Sequence, residues 1–251
     1  MRLSQLFYKT DTGKVRPHNE DAVNIFKNDN CAIMVVADGM GGHEAGDIAS
    51  KMVIQKVEQY FHPDLEFREI ESARRWIKEI LNQINQEILL YIEQQGISHG
   101  MGTTVIITVI TETFIAFSHI GDSRAYILAY NELRQITKDH TFVRKLVEEG
   151  QLSEKAAKSH PHRNIIMNAL GVSKSLKFDY LLLENYELNA ILLCTDGLTS
   201  MLDEKDILPV LNEKIETEEK VKKLIELANE NGGNDNISVA LCEFGERSDT
   251  L

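Results

Sequence analysis

Four aspartates share the same kind of surroundings, each beside an apolar, strand-like run and in a turn that contains glycine or asparagine. They are Asp38 in ADGMGG, Asp122 in GDSR, Asp196 in TDGL and Asp235 in GGNDN. Carboxylates that converge repel one another, so such a cluster is normally held by cations. Oxygen ligands favour Mg²⁺ or Mn²⁺ over Zn²⁺, which prefers histidine and cysteine. The alternative is four ordinary turn residues, and spacings of 84, 74 and 39 residues carry no local metal signature that would decide between them.

The first of these aspartates follows the longest chemical signal in the chain. An apolar run over residues 31–37 predicts a buried strand that ends on Asp38, and Gly41, Gly42 and His43 come next, before a helix-compatible sequence. Glycines allow a ligand to approach the backbone closely, and the first turn of a helix offers free N–H groups. An Asp-Gly pair is equally typical of a simple turn.

The elements that position these residues can be read from periodicity. Strands are expected at 3–10, 22–26, 31–37, 103–111, 113–120, 124–129, 133–136, 178–183, 190–195 and 237–244, and helices at about 49–61, 69–95 and 216–229. The helices cluster instead of alternating with strands, which disfavours a doubly wound parallel sheet. An α+β arrangement of antiparallel sheets with helices packed on their outer faces fits better.

The composition limits the class of protein. The chain has 251 residues, 43% of them hydrophobic, and a formal net charge of −12, which argues against a nucleic-acid partner. Three widely separated cysteines in apolar runs, with no CxxC pair, indicate buried reduced thiols in a cytoplasmic protein. No signal peptide and no run of about 20 apolar residues is seen, so we expect no membrane insertion.

No repeat or linker divides the chain, so one domain over residues 1–245 is predicted, with a tail at 246–251. Residues 140–164 form a polar insert between strands, with two short helical patterns separated by Gly150. Inserts of this kind often carry function, and a solvated helical hairpin is the equally weighted alternative.

Six motifs occur in an order that resembles the bacterial metal-dependent serine/threonine protein phosphatases of the type 2C family. They are VRPHNED, ADGMGGHEAG, GMGTT, IGDSRAY, TDGL and GGNDNISV, and they extend from Arg16 to Val239. The resemblance implies a four-layer α-β-β-α sandwich of two antiparallel sheets flanked by helix pairs. It also implies hydrolysis of phosphoserine and phosphothreonine by a water that bridges two Mn²⁺ or Mg²⁺ ions, with a third ion in some members.

The resemblance assigns roles residue by residue. Asp38 is similar to the carboxylate shared by both metals, and the Gly39 carbonyl to a ligand of one. Asp196 and Asp235 match the remaining direct ligands, and Asp122 with Asp196 matches a third, weaker metal site. Three further assignments concern the VRPHNED motif: Arg16 matches the arginine that binds the substrate phosphate, and Glu20 and Asp21 match acceptors for metal-bound waters.

One position departs from the family. Many eukaryotic relatives have a histidine directly after the DG pair, proposed as the acid that protonates the leaving oxygen, whereas this chain has Met40. A thioether cannot donate a proton, so His43 is the nearest candidate, with a structural role as its alternative, and a metal-bound water could serve as the acid instead. The 140–164 segment resembles the flap beside the family's active site.

The resemblance also implies partners. Phosphoproteins modified on serine or threonine are the expected substrates, and a cognate Ser/Thr protein kinase is the expected opponent. The chain is expected to be a monomer. A catalytically inactive phosphoprotein-binding pseudophosphatase is the alternative, and the retained Asp38, Asp196 and Asp235 argue against it.

Overall fold

The computed structural model describes residues 3–41, 44–98, 100–184 and 187–245, which contain eleven strands and seven helices. The strands are β1 (Leu3–Asp11), β2 (Asp21–Lys27), β3 (Ala32–Met40), β4 (Gly102–Thr103), β5 (Val105–Ile110), β6 (Phe114–Ile120), β7 (Arg124–Ala129), β8 (Glu132–Gln135), β9 (Asp179–Glu184), β10 (Ala190–Cys194) and β11 (Ile237–Phe244). The helices are α1 (Glu44–Tyr60), α2 (Ile70–Gln95), α3 (Phe142–Glu148), α4 (Glu154–Lys158), α5 (Asp196–Thr199), α6 (Glu204–Leu211) and α7 (Thr217–Glu230).

The strands form two antiparallel sheets. The first sheet has the order β1-β11-β10-β7-β8, and the second has the order β2-β3-β5-β6-β9, with β4 paired to the end of β3. Side chains of β3 point alternately to the two faces of its sheet, as the pleat requires. Both faces are covered, which is why the strand reads as an unbroken apolar run instead of an alternating one.

Packing on the two faces gives four layers. Met34 and Val36 of β3 pack between the sheets, against Ile191 and Leu193 of β10. On the other face of β3, α1 and α2 cover the second sheet, whereas α6 and α7 cover the outer face of the first sheet. The α+β, four-layer sandwich expected from the sequence is therefore confirmed.

The longest helix shows how closely periodicity can predict structure. Helix α2 was predicted over residues 69–95 and spans Ile70–Gln95, with an inward stripe that includes Ile77 and Ile84. Gly96 follows with φ of 62°, and its N–H donates to Glu93 O. This left-handed C-terminal residue is the position that glycine occupies without strain.

The main differences from the sequence expectations concern β3, β4 and α6. β3 continues past Asp38 to Met40, because Gly39 and Met40 pair with Thr103 and Gly102. The strand predicted at 103–111 is broken at Thr104, so that β4 and β5 are separate. Helix α6 was not predicted, and it contains Pro209.

No helix in the described part of the chain is long and apolar enough to cross a membrane. The three cysteines are buried and free, as expected. The predicted tail at 246–251 lies outside the described residues.

Candidate active site

Two of the predicted residues face each other on neighbouring strands. Asp21 at the start of β2 is the antiparallel partner of Asp38 in β3. The backbone of Asp38 is held on its other side: its N–H donates to Thr104 Oγ1 at 3.0 Å, and its carbonyl accepts from Thr104 N and Thr103 Oγ1, each at 2.9 Å. These bonds use the backbone groups of Asp38 and leave its carboxylate for other partners.

The first sheet contributes Asp196 and the hydroxyl beside it. Thr195 follows β10, and its Oγ1 donates to Asp21 Oδ2 at 2.8 Å, which connects the two sheets. Asp196 then begins the four-residue helix α5. A Cβ on Gly197 would lie 1.9 Å from Asn236 O, so only glycine permits this close approach of the loops that carry Asp196 and Asp235.

Asn236 connects the segment before β2 to the turn before β11. Its Oδ1 accepts from Glu20 N at 2.8 Å, and its Nδ2 donates to the carbonyls of Thr12 and His18. Asn236 is 5% exposed, so these three bonds satisfy an amide that water cannot reach. The neighbouring Asp235 is thereby placed beside Glu20.

Glu20 and Gly39 are packed against the first turns of α1. Gly39 N donates to Glu20 O at 3.1 Å, and a Cβ on Gly39 would lie 2.0 Å from Gly46 O. A Cβ on Gly46 would in turn lie 2.2 Å from Glu20 Oε2. Two glycines without side chains therefore make the space that the Glu20 carboxylate occupies.

Asp122 reaches the same region from the turn between β6 and β7. The preceding Gly121 has φ of 107°, a conformation that strongly favours glycine. The Asp122 side chain is buried, and its Oδ1 has no hydrogen-bond partner within the described residues. An orphaned buried carboxylate oxygen is costly unless a ligand or a proton compensates it.

We call Asp21, Asp38, Asp122, Asp196 and Asp235 the acidic cluster. Burial and then repulsion from Asp196 raise the pKa of Asp122 to about 7. The pKa of Asp21 is raised to about 7 by burial, against the Thr195 hydrogen bond, which lowers it. Burial followed by the charge of Asp235 raises the pKa of Asp196 to about 6, and burial with repulsion from Asp21 and Asp196 raises the pKa of Asp38 well above its usual range.

Arg16 is the cation in contact with the acidic cluster. Its Nη2 donates to Asp235 Oδ2 at 2.7 Å, while about half of the Arg16 side chain remains exposed. Partial burial acts to lower the pKa of Arg16, but the charge of Asp235 and the hydrogen bond to it raise the value overall. One guanidinium cannot balance five carboxyl groups, so the cluster keeps an excess of negative charge at neutral pH.

The donor set fits divalent cations. All five members of the acidic cluster offer carboxylate oxygens, and Mg²⁺ and Mn²⁺ prefer oxygen ligands. Within the described ranges, three His, Cys, Asp or Glu ligand atoms lie within 4.8 Å of one another only at His119, His140 and Asp179, so the carboxylates of the acidic cluster are spread more widely than the shell of one ion.

Among the sequence-predicted site residues, the structure brings together Asp21, Asp38, Asp122, Asp196, Asp235, Glu20, Gly39 and Arg16. His43 lies outside the described residues. Met40 is in β3 beside Gly102, and a Cβ on that glycine would lie 3.5 Å from Met40 Cε.

Sequence reasoning missed a group of polar residues beside the turn that holds Asp122. His119 on β6 is the antiparallel partner of Asp179 on β9, and the His119 and His140 ring centroids are 4.6 Å apart. Burial, followed by the charge of His140, lowers the pKa of His119 to about 4. The one signal in the sequence was a histidine in the otherwise apolar strand TFIAFSHI.

Comparison with known proteins gives consistent matches along the chain. Residues 14–235 match the family model described as Protein phosphatase 2C. The chain is 38% identical over 237 residues to "Serine/threonine phosphatase stp" of Listeria welshimeri, covering 94% of both chains.

Solved structures agree with the family match. The serine/threonine phosphatase of S. agalactiae superposes with a TM-score of 0.90 at 36% identity, covering 96% of this chain and 99% of that chain. The catalytic domain of the serine threonine protein phosphatase PstP, solved in complex with two manganese ions, gives a TM-score of 0.83 at 33% identity, covering 95% of this chain and 97% of that chain.

Proposed function

Since this chain belongs to the protein phosphatase 2C family and is a serine/threonine protein phosphatase, we propose that its acidic cluster binds the metal ions for hydrolysis of phosphoserine and phosphothreonine. Asp38, the Gly39 carbonyl, Asp196 and Asp235 would hold two Mn²⁺ or Mg²⁺ ions. Asp122, with Asp196, would hold a third. When bound, such ions activate a water and neutralise charge that develops on the phosphoryl group.

One observation carries the proposal: carboxylates from both sheets converge with too few cations to balance them. The raised pKa values of Asp21, Asp122 and Asp196 mean that the metal-free protein keeps protons on this cluster near neutral pH. Divalent ions would replace those protons. Glu20 and Asp21 would orient waters around the ions, and the support is that both residues adjoin the segments that carry Asp38, Asp196 and Asp235.

Arg16 is the residue that we assign to the substrate. Its guanidinium pairs with Asp235, which is itself an assigned metal ligand, so the two roles are coupled. With Asp235 engaged by a cation, the Arg16 guanidinium would be free to contact phosphate oxygens. A planar fork of donors matches two phosphate oxygens in a way that the single ammonium of lysine does not.

The proton donor to the leaving oxygen is assigned from positions in the sequence. Met40 stands where many eukaryotic relatives have a histidine, and its thioether donates no proton. His43 is the candidate in this chain. A His43→Gln variant that reduces turnover of a phosphopeptide more than turnover of p-nitrophenyl phosphate, whose leaving group needs no protonation, would support that role.

The decisive experiment removes one carboxylate. Metal-free protein is assayed with and without Mn²⁺ on p-nitrophenyl phosphate and on a phosphothreonine peptide, for the wild type and for Asp38→Asn. We expect turnover to depend on Mn²⁺ and to fall about 1,000-fold in Asp38→Asn, which corresponds to about 4 kcal/mol of transition-state stabilisation.

The matched control is Asp64→Asn, because Asp64 is an exposed carboxylate next to Leu65, which contacts the β2–β3 turn at the opposite end of β3. It should retain wild-type turnover. Full turnover in Asp38→Asn, or turnover without any metal, would contradict the proposed site. Phosphopeptide binding without turnover at saturating Mn²⁺ would indicate a pseudophosphatase.

The cellular setting is a further part of the proposal. We place the enzyme in the cytoplasm, acting as a monomer against a cognate Ser/Thr protein kinase. We further propose that residues 140–164 form a flap that controls access of phosphoproteins to the acidic cluster. The support is the family resemblance and the position of this segment. It follows β8, and at its start His140 N donates to the carbonyl of Gly121, which is next to Asp122.

A further inference from the structure

His119, His140 and Asp179 form a second group of potential ligands, separate from the acidic cluster. Their ligand atoms lie within 4.8 Å of one another, and His140 Nε2 is 3.3 Å from Asp179 Oδ2. His119 is fully buried, and neither of its ring nitrogens has a hydrogen-bond partner in the described part of the chain. Two histidines and a carboxylate could suggest a transition-metal site.

The hydrogen bonds of His140 argue against a metal. Gly121 N donates to His140 Nδ1 at 3.1 Å, so Nδ1 carries the lone pair and the ring proton is on Nε2, which faces Asp179. A neutral histidine that bound a metal through Nε2 would carry its proton on Nδ1 and would donate that proton to an acceptor. Here Nδ1 meets an N–H group instead.

The same ring is bound to the turn that holds Asp122. Besides the side-chain bond, His140 N donates to Gly121 O at 2.7 Å. The backbone and the side chain of His140 therefore bind both the N–H and the carbonyl of Gly121. Gly121 is the residue directly before Asp122, so these two bonds act on the turn that carries the Asp122 carboxylate. The residue before His140 adds a half-buried ion pair, since Asp139 accepts three hydrogen bonds from Arg124.

His140 also joins both ends of the 140–164 segment. Met167 N donates to the His140 carbonyl at 2.7 Å, and Phe142 N donates to Ile165 O at 2.9 Å. An isolated bridge pairs Thr141 with Ile166. The base of the segment is therefore closed immediately beside the ring that holds Gly121.

From these contacts we propose that His140 is a positioning residue: its Nδ1 holds the Gly121–Asp122 turn in the geometry at which Asp122 can take part in metal binding, and Asp179 orients the ring. His119 provides the buried surface on which the ring of His140 lies. The inference rests on the role proposed above for Asp122. It assigns a positioning role to the histidine at which the 140–164 segment begins.

Two substitutions separate the two sides of the ring. In His140→Asn the amide oxygen can take the position of Nδ1 and accept from Gly121, but nothing reaches Asp179. In His140→Gln the amide nitrogen can take the position of Nε2 and donate to Asp179, but no acceptor faces Gly121. The measurement is turnover of p-nitrophenyl phosphate as a function of Mn²⁺ concentration, with Tm in EDTA recorded for each variant.

We expect His140→Gln to raise the Mn²⁺ concentration for half-maximal activity at least tenfold, and His140→Asn to restore it to within threefold of the wild type. Asp122→Asn should shift the same midpoint, and adding His140→Gln to Asp122→Asn should produce little further shift. A purely structural role would instead lower Tm in both His140 variants and leave the two Mn²⁺ midpoints alike.

Three results would overturn the inference: equal Mn²⁺ midpoints in the two His140 variants, additive shifts in the double variant, or one equivalent of Zn²⁺ bound by the wild type and lost in Asp179→Ala. The experiment on Asp38 separates this failure from that of the proposed function. If Asp38→Asn is inactive and His140→Gln has a normal midpoint, only the role of His140 is wrong. If Asp38→Asn is fully active, the metal site itself is wrong, and the role of His140 falls with it.

Discussion

The two ends of β11 differ in how far their charged side chains are compensated by opposite charges. Just before its first residue, Asp235 lies with Asp196 and Asp21, and it is paired with Arg16, whose side chain is about half exposed. Near its last residue, Glu243 accepts a hydrogen bond from Lys220 Nζ at 2.6 Å and another from Thr217 Oγ1. The two ends are separated by about 20 Å, because each residue of a strand adds about 3.3 Å.

The difference separates charges that stabilise the fold from charges that are held for a ligand. Lys220 is 5% exposed and also donates to Leu211 O, so its charge is compensated within the protein. Asp21 and Asp122 of the acidic cluster are similarly withdrawn from water, but Asp122 Oδ1 has no hydrogen-bond partner within the described residues. The charges at the Glu243 end are therefore compensated within the protein, whereas the Asp235 end costs stability until cations arrive.

The largest effect on stability is expected at the compensated end. Lys220→Met should lower the free energy of unfolding by about 3 kcal/mol, because it leaves a mostly buried carboxylate without its cation. Urea unfolding in EDTA measures the loss, and turnover with Mn²⁺ should stay within twofold of the wild type. Glu243→Gln added to Lys220→Met should recover part of the loss. A cost below about 1 kcal/mol for the single variant would show that the pair contributes little.

A smaller effect of opposite sign is expected at the Asp122 side chain. At pH 8 in EDTA this buried carboxylate must be ionised although its pKa is about 7, so Asp122→Asn should stabilise the metal-free protein. We expect about 2 kcal/mol, or roughly 5 °C in Tm. The gain should be smaller at pH 5, where the folded wild type keeps the proton. An equal gain at both pH values would mean that charge is not the cause.

The smallest effect is a pH dependence of the metal-free wild type. Between pH 6.5 and pH 8 the unfolded carboxyls are already ionised, whereas Asp21 and Asp122, with pKa values raised to about 7, are still losing protons in the folded state. The folded state binds more protons, so stability falls as the pH rises through this window. His119, whose pKa is lowered to about 4, opposes this trend weakly near pH 6.5.

The net loss over that window should be about 1 kcal/mol in EDTA, measured by urea unfolding at several pH values. Saturating Mn²⁺ should remove the decline, because cations stabilise the ionised carboxylates. A decline that is the same with and without Mn²⁺ would place its origin outside the acidic cluster.

The sequence predicted the elements whose burial is uniform along their length. β11 was expected at 237–244 and spans Ile237–Phe244, because its run of apolar residues is bounded by a strong turn. The convergence of residues that lie in different turns could not be predicted in this way. Periodicity placed each aspartate beside a strand, but only the ordered motifs of the family indicated that these strand ends converge.

The remaining features depend on contacts that no local pattern encodes. β3 extends past Asp38 because Gly39 finds Thr103 as a partner from a distant segment. Helix α6 begins with a capping box between Asp203 and Asp206. It was not predicted because Pro209 lies inside it, and proline disfavours the interior of a helix. The pairing of His119 with Asp179 depends on the register of β6 and β9, which are separated by the whole 140–164 segment.

The hydrogen bond from Thr195 to Asp21 has a consequence for how the molecule opens. It is a seam between the sheets, since Asp21 belongs to the sheet of β3 and Thr195 follows β10 of the other sheet. A cation shared by Asp38 and Asp196 would fasten the same seam a second time. Loading the enzyme with metal should then slow amide hydrogen exchange in β3 and β10 together, because opening this end of the sandwich would require release of the cation.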